Sequence, residues 1–222
     1  CVSCGMCMVN CPFGAISDKS QIFQLARALS QGEEIIAEIA PAFVGQFGPN
    51  ITPRNIKAAL GELGFSEVYE VALGADIGAI AEAHHYVEKV VTGELPFLLT
   101  SCCPSWAVMA KKFFPDVIDE ISQELTPMVA TARTIKKEHP DAKVVFIGPC
   151  AAKKLEASRR SVRSDVDFVV TFEEMQAMFD AKGIDLSSYE AESSFHDATG
   201  AGRGYGCAGG VAAAIEKCIN EY

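Results

Sequence analysis

Nine cysteines, and the way they are distributed, constrain this chain more than any other feature of its sequence. Four lie within the first eleven residues, and none occurs in the ninety residues that follow. The other five are Cys102, Cys103, Cys150, Cys207 and Cys218. Secreted domains pair even numbers of cysteines in disulfides, whereas a reducing compartment leaves thiols free to bind metal. The clustered, odd-numbered set therefore predicts metal chemistry in a cytoplasmic protein.

The N-terminal cluster has the spacing C-x2-C-x2-C-x3-C-P, formed by Cys1, Cys4, Cys7, Cys11 and Pro12. This spacing is typical of half a bacterial ferredoxin, in which three thiolates hold one four-iron cluster and the fourth binds a neighbouring cluster. A structural zinc site would more usually show two separated cysteine pairs. Residues 1–18 are therefore predicted to form a partial ferredoxin-type 4Fe-4S module. The second half-motif would precede Cys1, so we expect a segment to be missing there.

After residue 18, apolar runs alternate with amphipathic stretches. The strand-like runs are residues 35–40, 68–73, 96–100, 143–148 and 166–171. The helical stretches are residues 21–29, 53–63, 76–91, 106–114, 127–139, 172–181 and 211–220. Buried runs with β-branched residues are typical of parallel strands, and their alternation with helices indicates an α/β fold. Residues 19–222 are predicted to form one such domain, with a parallel or mixed sheet flanked by helices.

Composition excludes several classes of function. The 19 basic and 29 acidic residues leave a formal net charge of −10, whereas a nucleic-acid partner would need a basic face. The sequence has neither an apolar stretch of membrane-spanning length nor a charged leader followed by an apolar run. We therefore expect no nucleic-acid partner and no membrane span.

Two later segments place cysteines directly after strand-like runs. Residues 100–106 read TSCCPSW, and residues 148–154 read GPCAAKK. Ligand sites of α/β proteins form where strands end, so the two loops are predicted to converge on one site. The alternatives are that these thiols pack in the core and that Lys153 is a solvated surface lysine like Lys154.

TSCCPSW and GPCAAKK resemble the first two signature segments of the iron-only (FeFe) hydrogenases. The ferredoxin-type module precedes them in the expected order, and IAPAF at 39–43 and GAD at 74–76 also resemble the family. The resemblance implies an FeFe-hydrogenase-like catalytic domain and reversible reduction of protons to dihydrogen. It also implies the H-cluster, a four-iron cubane joined through a cysteine sulfur to a two-iron unit with carbonyl, cyanide and azadithiolate ligands.

The resemblance assigns roles to the residues of these two loops. Cys103 and Cys150 would ligate the cubane, and Cys102 would exchange a proton with the amine of the two-iron unit. Lys153 would donate a hydrogen bond to a cyanide ligand. A buried ammonium is suited to meet the negative charge that such a ligand carries.

The resemblance further implies a proton relay through Glu82 and Ser122. His85 stands where the family has a second relay glutamate, and an imidazole can still pass a proton near neutral pH. Without the resemblance, Glu82 and His85 would be read as solvent-facing residues of an amphipathic helix.

Other matched positions would lie against the two-iron unit. Ala40 and Pro41 match the backbone beside its ligands, and Met128 replaces a glutamine found in the commoner sequence. Gly148 and Ser105 stand where the best-studied members have methionine and glycine. These departures predict a less-studied branch, in which altered contacts tune the metal.

The third family segment, a C-x3-C pair that completes the cubane, is missing from this sequence. The chain therefore offers two of four cubane ligands, and we expect it to be a fragment. The implied partners are a ferredoxin or similar electron carrier and hydrogenase maturation factors. Two alternatives remain open: a non-catalytic relative that assembles iron–sulfur clusters or senses hydrogen, and an electron-transfer module that uses only the N-terminal cluster. The Cys102-Cys103 pair argues against an assembly factor, because such relatives typically lack it.

Overall fold

The computed structural model describes residues 1–195 and 198–221. Its centre is a sheet of four strands, β1 (Ile35–Ile39), β2 (Glu67–Glu70), β3 (Lys143–Gly148) and β4 (Phe168–Thr171). The order across the sheet is β2-β1-β3-β4, and every neighbouring pair is parallel. The predicted α/β class with a parallel sheet is therefore confirmed.

Helices surround this sheet. They are α1 (Met6–Val9), α2 (Ile22–Ser30), α3 (Pro53–Leu63), α4 (Val71–Tyr86), α5 (Pro104–Phe113), α6 (Pro127–Glu138), α7 (Ala152–Ala157), α8 (Phe172–Lys182), α9 (Gly200–Gly204) and α10 (Gly210–Glu221). Single 3-10 turns lie at Pro41–Phe43, Pro115–Val117 and Leu186–Ser188, and one π turn at Val87–Val91 extends α4. The seven predicted helices all form, with their ends displaced by up to a few residues.

Local chemistry explains why α3 starts where the sequence predicts. The Thr52 side chain accepts a hydrogen bond from the Asn55 amide, and Pro53 fills the first turn, where no N–H partner is needed. The helix ends at Gly64, whose φ of 105° suits a residue without a side chain. Helix α8 starts with the same device, built from Thr171 and Glu174.

The strand predicted over residues 96–100 is wrong. This segment makes only a single parallel bridge, between Leu99 and Ile121, and is otherwise irregular. A strand needs a partner along its length, and here only a short piece of backbone is available: Leu99 N–H donates to Glu120 O and Ser122 N–H donates to Leu99 O. Pro96 also removes one donor from the segment.

The strand predicted over residues 68–73 is only partly right, because β2 stops at Glu70 and α4 begins at Val71. The start of this helix is buried on several sides, including Val71, Ala72 and Ala75. A helix that is apolar all round lacks the 3.6-residue period by which sequence reveals a helix. Its first turn therefore looks like the continuation of a buried strand.

Candidate metal and proton-transfer site

A cavity of about 160 Å³ lies at the carboxyl ends of β1 and β3. It is lined by residues that the sequence placed at the site, namely Cys102, Cys150, Lys153, Ala40, Pro41 and Met128, together with Phe146 and Tyr205. The loops after β1 and β3 and the starts of α5 and α6 supply most of these residues. The structure therefore brings the two signature segments together in the way that parallel strand ends predict.

Lys153 is held inside this cavity by two hydrogen bonds. Its Nζ donates to the carbonyl of Cys102 at 3.1 Å and to Glu156 Oε2 at 2.7 Å. The Lys153 side chain is only 12% exposed, and that of Glu156 only 3%. The alternative of a solvated surface lysine is therefore wrong, because Lys153 is a buried cation with a buried partner.

Lys154, used above as the example of a surface lysine, is equally buried. Its Nζ pairs with Asp18 Oδ2 at 2.6 Å and with Glu174 Oε1 at 2.8 Å. The two adjacent lysines of α7 therefore serve different contacts. One reaches the cavity, and the other joins the N-terminal segment to α8.

The TSCCPSW loop is shaped by the start of α5. Cys103 precedes the helix, its Sγ accepts a hydrogen bond from the Trp106 amide at 3.5 Å, and Pro104 opens the first turn. The indole Nε1 of Trp106 donates to Thr100 O at 3.1 Å and closes the loop. This arrangement leaves Cys103 exposed and Cys102 partly buried.

Burial raises the pKa of the Cys102 thiol, and the Lys153 ammonium opposes this by stabilising the thiolate. The nearby Cys103 and Glu82 raise the pKa further. The protonated thiol is therefore favoured near neutral pH, while a cation close by eases its ionisation. Cys102 can therefore hold a proton at the cavity wall.

Glu82, on α4, is 7% exposed, so the alternative of a solvent-facing residue is wrong for it. Burial raises its pKa to about 7, hydrogen bonding with Ser122 lowers it, and Glu124 raises it. Ser122 is buried too, and its hydroxyl also accepts a hydrogen bond from the Glu124 amide at 3.1 Å. His85 lies about one turn further along α4 and is half-buried.

The GAD segment explains how α4 and its neighbours close around the cavity. A side chain at Gly74 would collide with the Pro127 carbonyl, and the Gly74 amide donates to Thr131 Oγ1 at 3.1 Å. Asp76 accepts hydrogen bonds from the Thr199 amide and hydroxyl at 2.7 and 2.6 Å. Gly74 therefore lets α6 approach closely, and Asp76 secures the start of α9.

Sequence reasoning missed Phe146 and Tyr205 as cavity residues. A side chain at Gly148 would collide with the ring of Phe146. The absence of a side chain at position 148 therefore leaves room for the phenylalanine ring at position 146. Positions 146 and 148 lie on the same sheet face, which was the available signal for this exchange. Tyr205 ends α9, and burial raises the pKa of its phenol, as do the nearby Cys102 and Glu82.

The N-terminal cysteines have a different setting. Cys1, Cys4 and Cys7 are exposed, and Cys11 is half-buried. Backbone hydrogen bonds, from Ala15 most strongly, lower the pKa of Cys11, so this loop favours a thiolate. Within residues 1–195 and 198–221, no three potential ligand side chains are grouped closely enough to hold a metal ion.

The cavity fits a small anionic metal unit. It combines a buried ammonium and a thiol with an otherwise largely apolar wall. Gly206 brings its backbone against Pro41, where an added side chain would sit 3.0 Å from the carbonyl carbon. For a cubane, Cys150 lines the cavity, and Cys103 follows the cavity residue Cys102 and is exposed. The residues present therefore fit the two-iron unit and half of the cubane ligand set.

Comparison with known families decides the relationship. Residues 33–222 match the family model described as the iron only hydrogenase large subunit, C-terminal domain. The chain belongs to this family. Iron hydrogenase 1 of Clostridium pasteurianum is 32% identical over 236 aligned positions, which cover 95% of this chain and 41% of that protein. The chain thus spans less than half the length of this hydrogenase relative.

Solved hydrogenases share the fold. The structure of HydA(deltaEFG), which reveals stepwise [FeFe]-hydrogenase H-cluster assembly, aligns with a TM-score of 0.74 and 29% identity over 91% of this chain and 57% of that one. An apo form of HydA1 from Chlamydomonas reinhardtii aligns with a TM-score of 0.75 and 27% identity over 91% and 58%.

The family relationship also extends to a different class of protein. The cytosolic Fe-S cluster assembly factor NAR1 of Kluyveromyces lactis is 36% identical over 105 residues, covering 47% of this chain and 22% of that protein.

In the described part of the chain, no helix is long and apolar enough to cross a membrane.

Proposed function

We propose that this chain is the cofactor-holding part of an iron-only hydrogenase that reversibly reduces protons to dihydrogen. One observation carries the proposal: Cys102 and Lys153 line the same cavity, and the Lys153 ammonium donates to the Cys102 carbonyl at 3.1 Å. A thiol and a buried cation are the groups needed beside an anionic metal unit that exchanges protons.

When bound, the H-cluster supplies the redox chemistry that joins two electrons and two protons. Lys153 contributes a fixed positive charge, held by Glu156, to bind and orient an anionic ligand. Cys102 holds a proton at Sγ and passes it at the cavity wall. Ala40, Pro41, Met128 and Phe146 restrict water there.

Proton supply to Cys102 is assigned to Glu82 and Ser122. Because burial raises its pKa to about 7, Glu82 is present in both protonation states near neutral pH. The Ser122 hydroxyl can accept a proton on one side while it donates on the other. His85, half-buried on the same helix, would extend this path toward solvent.

Electron supply is assigned to the N-terminal segment. Cys1, Cys4 and Cys7 would hold a 4Fe-4S cluster, and the lowered pKa of Cys11 suits a thiolate ligand of a further cluster. Lys112 Nζ donates to Cys1 O at 2.8 Å, which keeps the start of the segment against the C-terminal end of α5. A ferredoxin-like carrier would deliver electrons here, and maturation factors would install the two-iron unit.

A second function is favoured by one finding, the 36% identity to NAR1 over 105 residues. On this alternative the chain assembles or carries iron–sulfur clusters and has no two-iron unit. The Lys153 ammonium, which lines the cavity and is held by the buried Glu156, supports the hydrogenase over this alternative, because it can bind an anionic ligand there.

Infrared spectroscopy of the protein, produced in its full reading frame with maturation factors, tests the proposal. Carbonyl and cyanide bands together with hydrogen evolution are expected. Iron–sulfur absorption without these bands would establish the assembly function instead.

The proton role of Cys102 is tested by Cys102→Ser, with Cys207→Ser as the matched control at an exposed thiol. Cys102→Ser should lower hydrogen evolution by at least about a hundredfold while the carbonyl bands remain, because only proton exchange is lost. Cys207→Ser should leave the rate unchanged. A fully active Cys102→Ser protein would refute the assignment.

A further inference from the structure

Glu38 is a buried acid that the proposed function does not use. It lies in β1, has no exposed surface, and neither of its carboxylate oxygens has a hydrogen-bond partner in the described part of the chain. Leaving a charged carboxylate in this state would cost far more free energy than leaving a neutral acid there. Burial accordingly raises the pKa of Glu38 well above its ordinary value.

The position of Glu38 ties it to the cavity. Side chains alternate along a strand, so Glu38 and Ala40 share one face of the sheet. Its register partner on β3 is Phe146, and both Ala40 and Phe146 line the cavity. Glu38 therefore lies directly behind the cavity wall.

Two charged side chains act on Glu38, and both belong to α7. Lys153 favours its ionisation and Glu156 opposes it, while these two residues pair with each other at 2.7 Å. With Glu38 protonated, the three groups sum to zero charge. With Glu38 ionised, two carboxylates would compete for one ammonium in a largely buried region.

Charged groups on the other elements packed against β1 are engaged elsewhere. On β2, Glu67 lies by His139 and Glu70 pairs with Arg203. On β3, Lys143 pairs with Asp167. On α6, Lys136 pairs with Asp167 and Arg133 pairs with Asp165. Also on α6, Glu138 accepts a hydrogen bond from the Tyr69 hydroxyl, and Lys137 is exposed.

Lys153 Nζ has one N–H donor that no described residue accepts. An ammonium carries three N–H donors. Two are used, by the Cys102 carbonyl and by Glu156, and within the described residues no third acceptor is bonded to Nζ. The remaining donor belongs to a side chain that lines the cavity, so it can serve a ligand there.

We propose that Glu38 is a positioning residue for Lys153. While Glu38 holds its proton, Lys153 keeps one N–H donor for a small anionic ligand in the cavity. When Glu38 loses its proton to solvent, the uncompensated carboxylate draws the ammonium back toward the sheet and the ligand loses that bond. Only a proton moves in this step, and no electrons are transferred. The identity of the ligand, a cyanide on iron, rests on the proposed function, whereas the coupling of Glu38 to Lys153 does not.

Nuclear magnetic resonance of the metal-free protein tests the coupling. With lysine labelled by ¹³C at Cε, the Lys153 signal is assigned by its loss in Lys153→Arg and followed against pH. We expect a titration step above the ordinary range of a glutamate, and Glu38→Gln should abolish it. Glu174→Gln, which removes a carboxylate from Lys154 instead, is the matched control and should leave the step in place.

A second variant keeps the test decisive if Glu38→Gln does not fold. Glu156→Gln removes the charge that opposes ionisation of Glu38, so the midpoint of the step should move to lower pH. An unmoved midpoint, a step that survives in Glu38→Gln, or no step in the parent protein would each overturn the proposal.

The loaded protein gives an independent reading of the ligand. The cyanide infrared bands of the parent should shift with the midpoint seen by magnetic resonance, and those of Glu38→Gln should not. Bands that shift identically in both proteins contradict the role of Glu38. If the loaded parent shows no cyanide bands, the proposed function fails, and the magnetic resonance result alone decides whether Glu38 controls Lys153.

Discussion

The cavity and the N-terminal cysteine segment both carry cysteine thiols, but the fold holds these thiols firmly at the cavity and only loosely in the segment. At the cavity, parallel strand ends, the Lys153–Glu156 ion pair and the close contact of α4 with α6 hold Cys102 and Lys153 in position. In the N-terminal segment, Cys1 and Cys4 are exposed, and the one helix there, Met6–Val9, has no buried residue. The cavity is therefore preorganised by the fold, whereas side-chain packing contributes little to the position of the cysteines in the segment.

The largest expected loss of stability comes from a substitution at the cavity. Lys153→Met leaves Glu156 buried without its ammonium, and loss of one partner of a buried pair costs about 3 to 5 kcal/mol. Urea unfolding should show this loss. The double variant Lys153→Met/Glu156→Leu should recover most of it, and a double variant as unstable as the single one would contradict the explanation.

The helix contact behind the cavity comes next. Gly74→Ala places a side chain against the Pro127 carbonyl, and forcing α4 from α6 should cost about 2 kcal/mol. Gly78→Ala, on the same helix, is the matched control because its nearest neighbour, Leu125 O, is 3.9 Å away. That variant should gain about 0.5 kcal/mol, since alanine favours a helix over glycine. Equal effects in thermal unfolding would show that the close approach is not required.

Glu82 gives a smaller effect with a defined pH dependence. Its pKa is raised to about 7 in the folded protein, so the folded state keeps the proton over a range where the unfolded state loses it. Its stabilising contribution is complete below about pH 4.5 and is lost as pH rises toward 7. Glu82→Gln should match the parent at pH 4 and exceed it by about 1 to 3 kcal/mol at pH 8. Unfolding curves that differ equally at both pH values would contradict this assignment.

The smallest expected effect on the fold tests the other side of the comparison. Cys4→Ser should remove iron bound by the N-terminal segment but change the unfolding free energy of the metal-free protein by less than about 0.5 kcal/mol, because the residue is exposed. Iron analysis and urea unfolding measure the two quantities. A large loss of stability without metal would show that the segment is preorganised after all.

Much of the fold could be predicted from the sequence, because β1 is apolar except for Glu38, β3 is apolar after Lys143, and α3 carries its own start and stop signals. The strand at residues 96–100 was wrong because a strand depends on a partner that the local sequence does not show. The start of α4 was missed because burial on all sides hides the helical period.

From the sequence, only those site residues that belong to a recognised motif could be predicted. The loops of Cys102 and Cys150 were expected to converge, and they do. Glu38 and Glu156 were missed because in the sequence each is an ordinary charged residue, and only the structure shows that Glu156 pairs with Lys153 and that both charges act on Glu38. The ring of Phe146 was missed because it depends on space left by Gly148.

The two adjacent lysines of α7 have a consequence for how this sequence can change. Successive residues of a helix point in directions about 100° apart. Lys153 therefore pairs with Glu156 and lines the cavity, whereas Lys154 pairs with Asp18 and Glu174. A single-residue insertion or deletion before them would turn both lysines and Glu156 together by about 100°, so Lys153 would lose the Cys102 carbonyl and Lys154 would lose Asp18, although Lys153 and Glu156 would stay paired. We expect the length of the turn between Cys150 and these lysines to be unchangeable even where the residues within it vary.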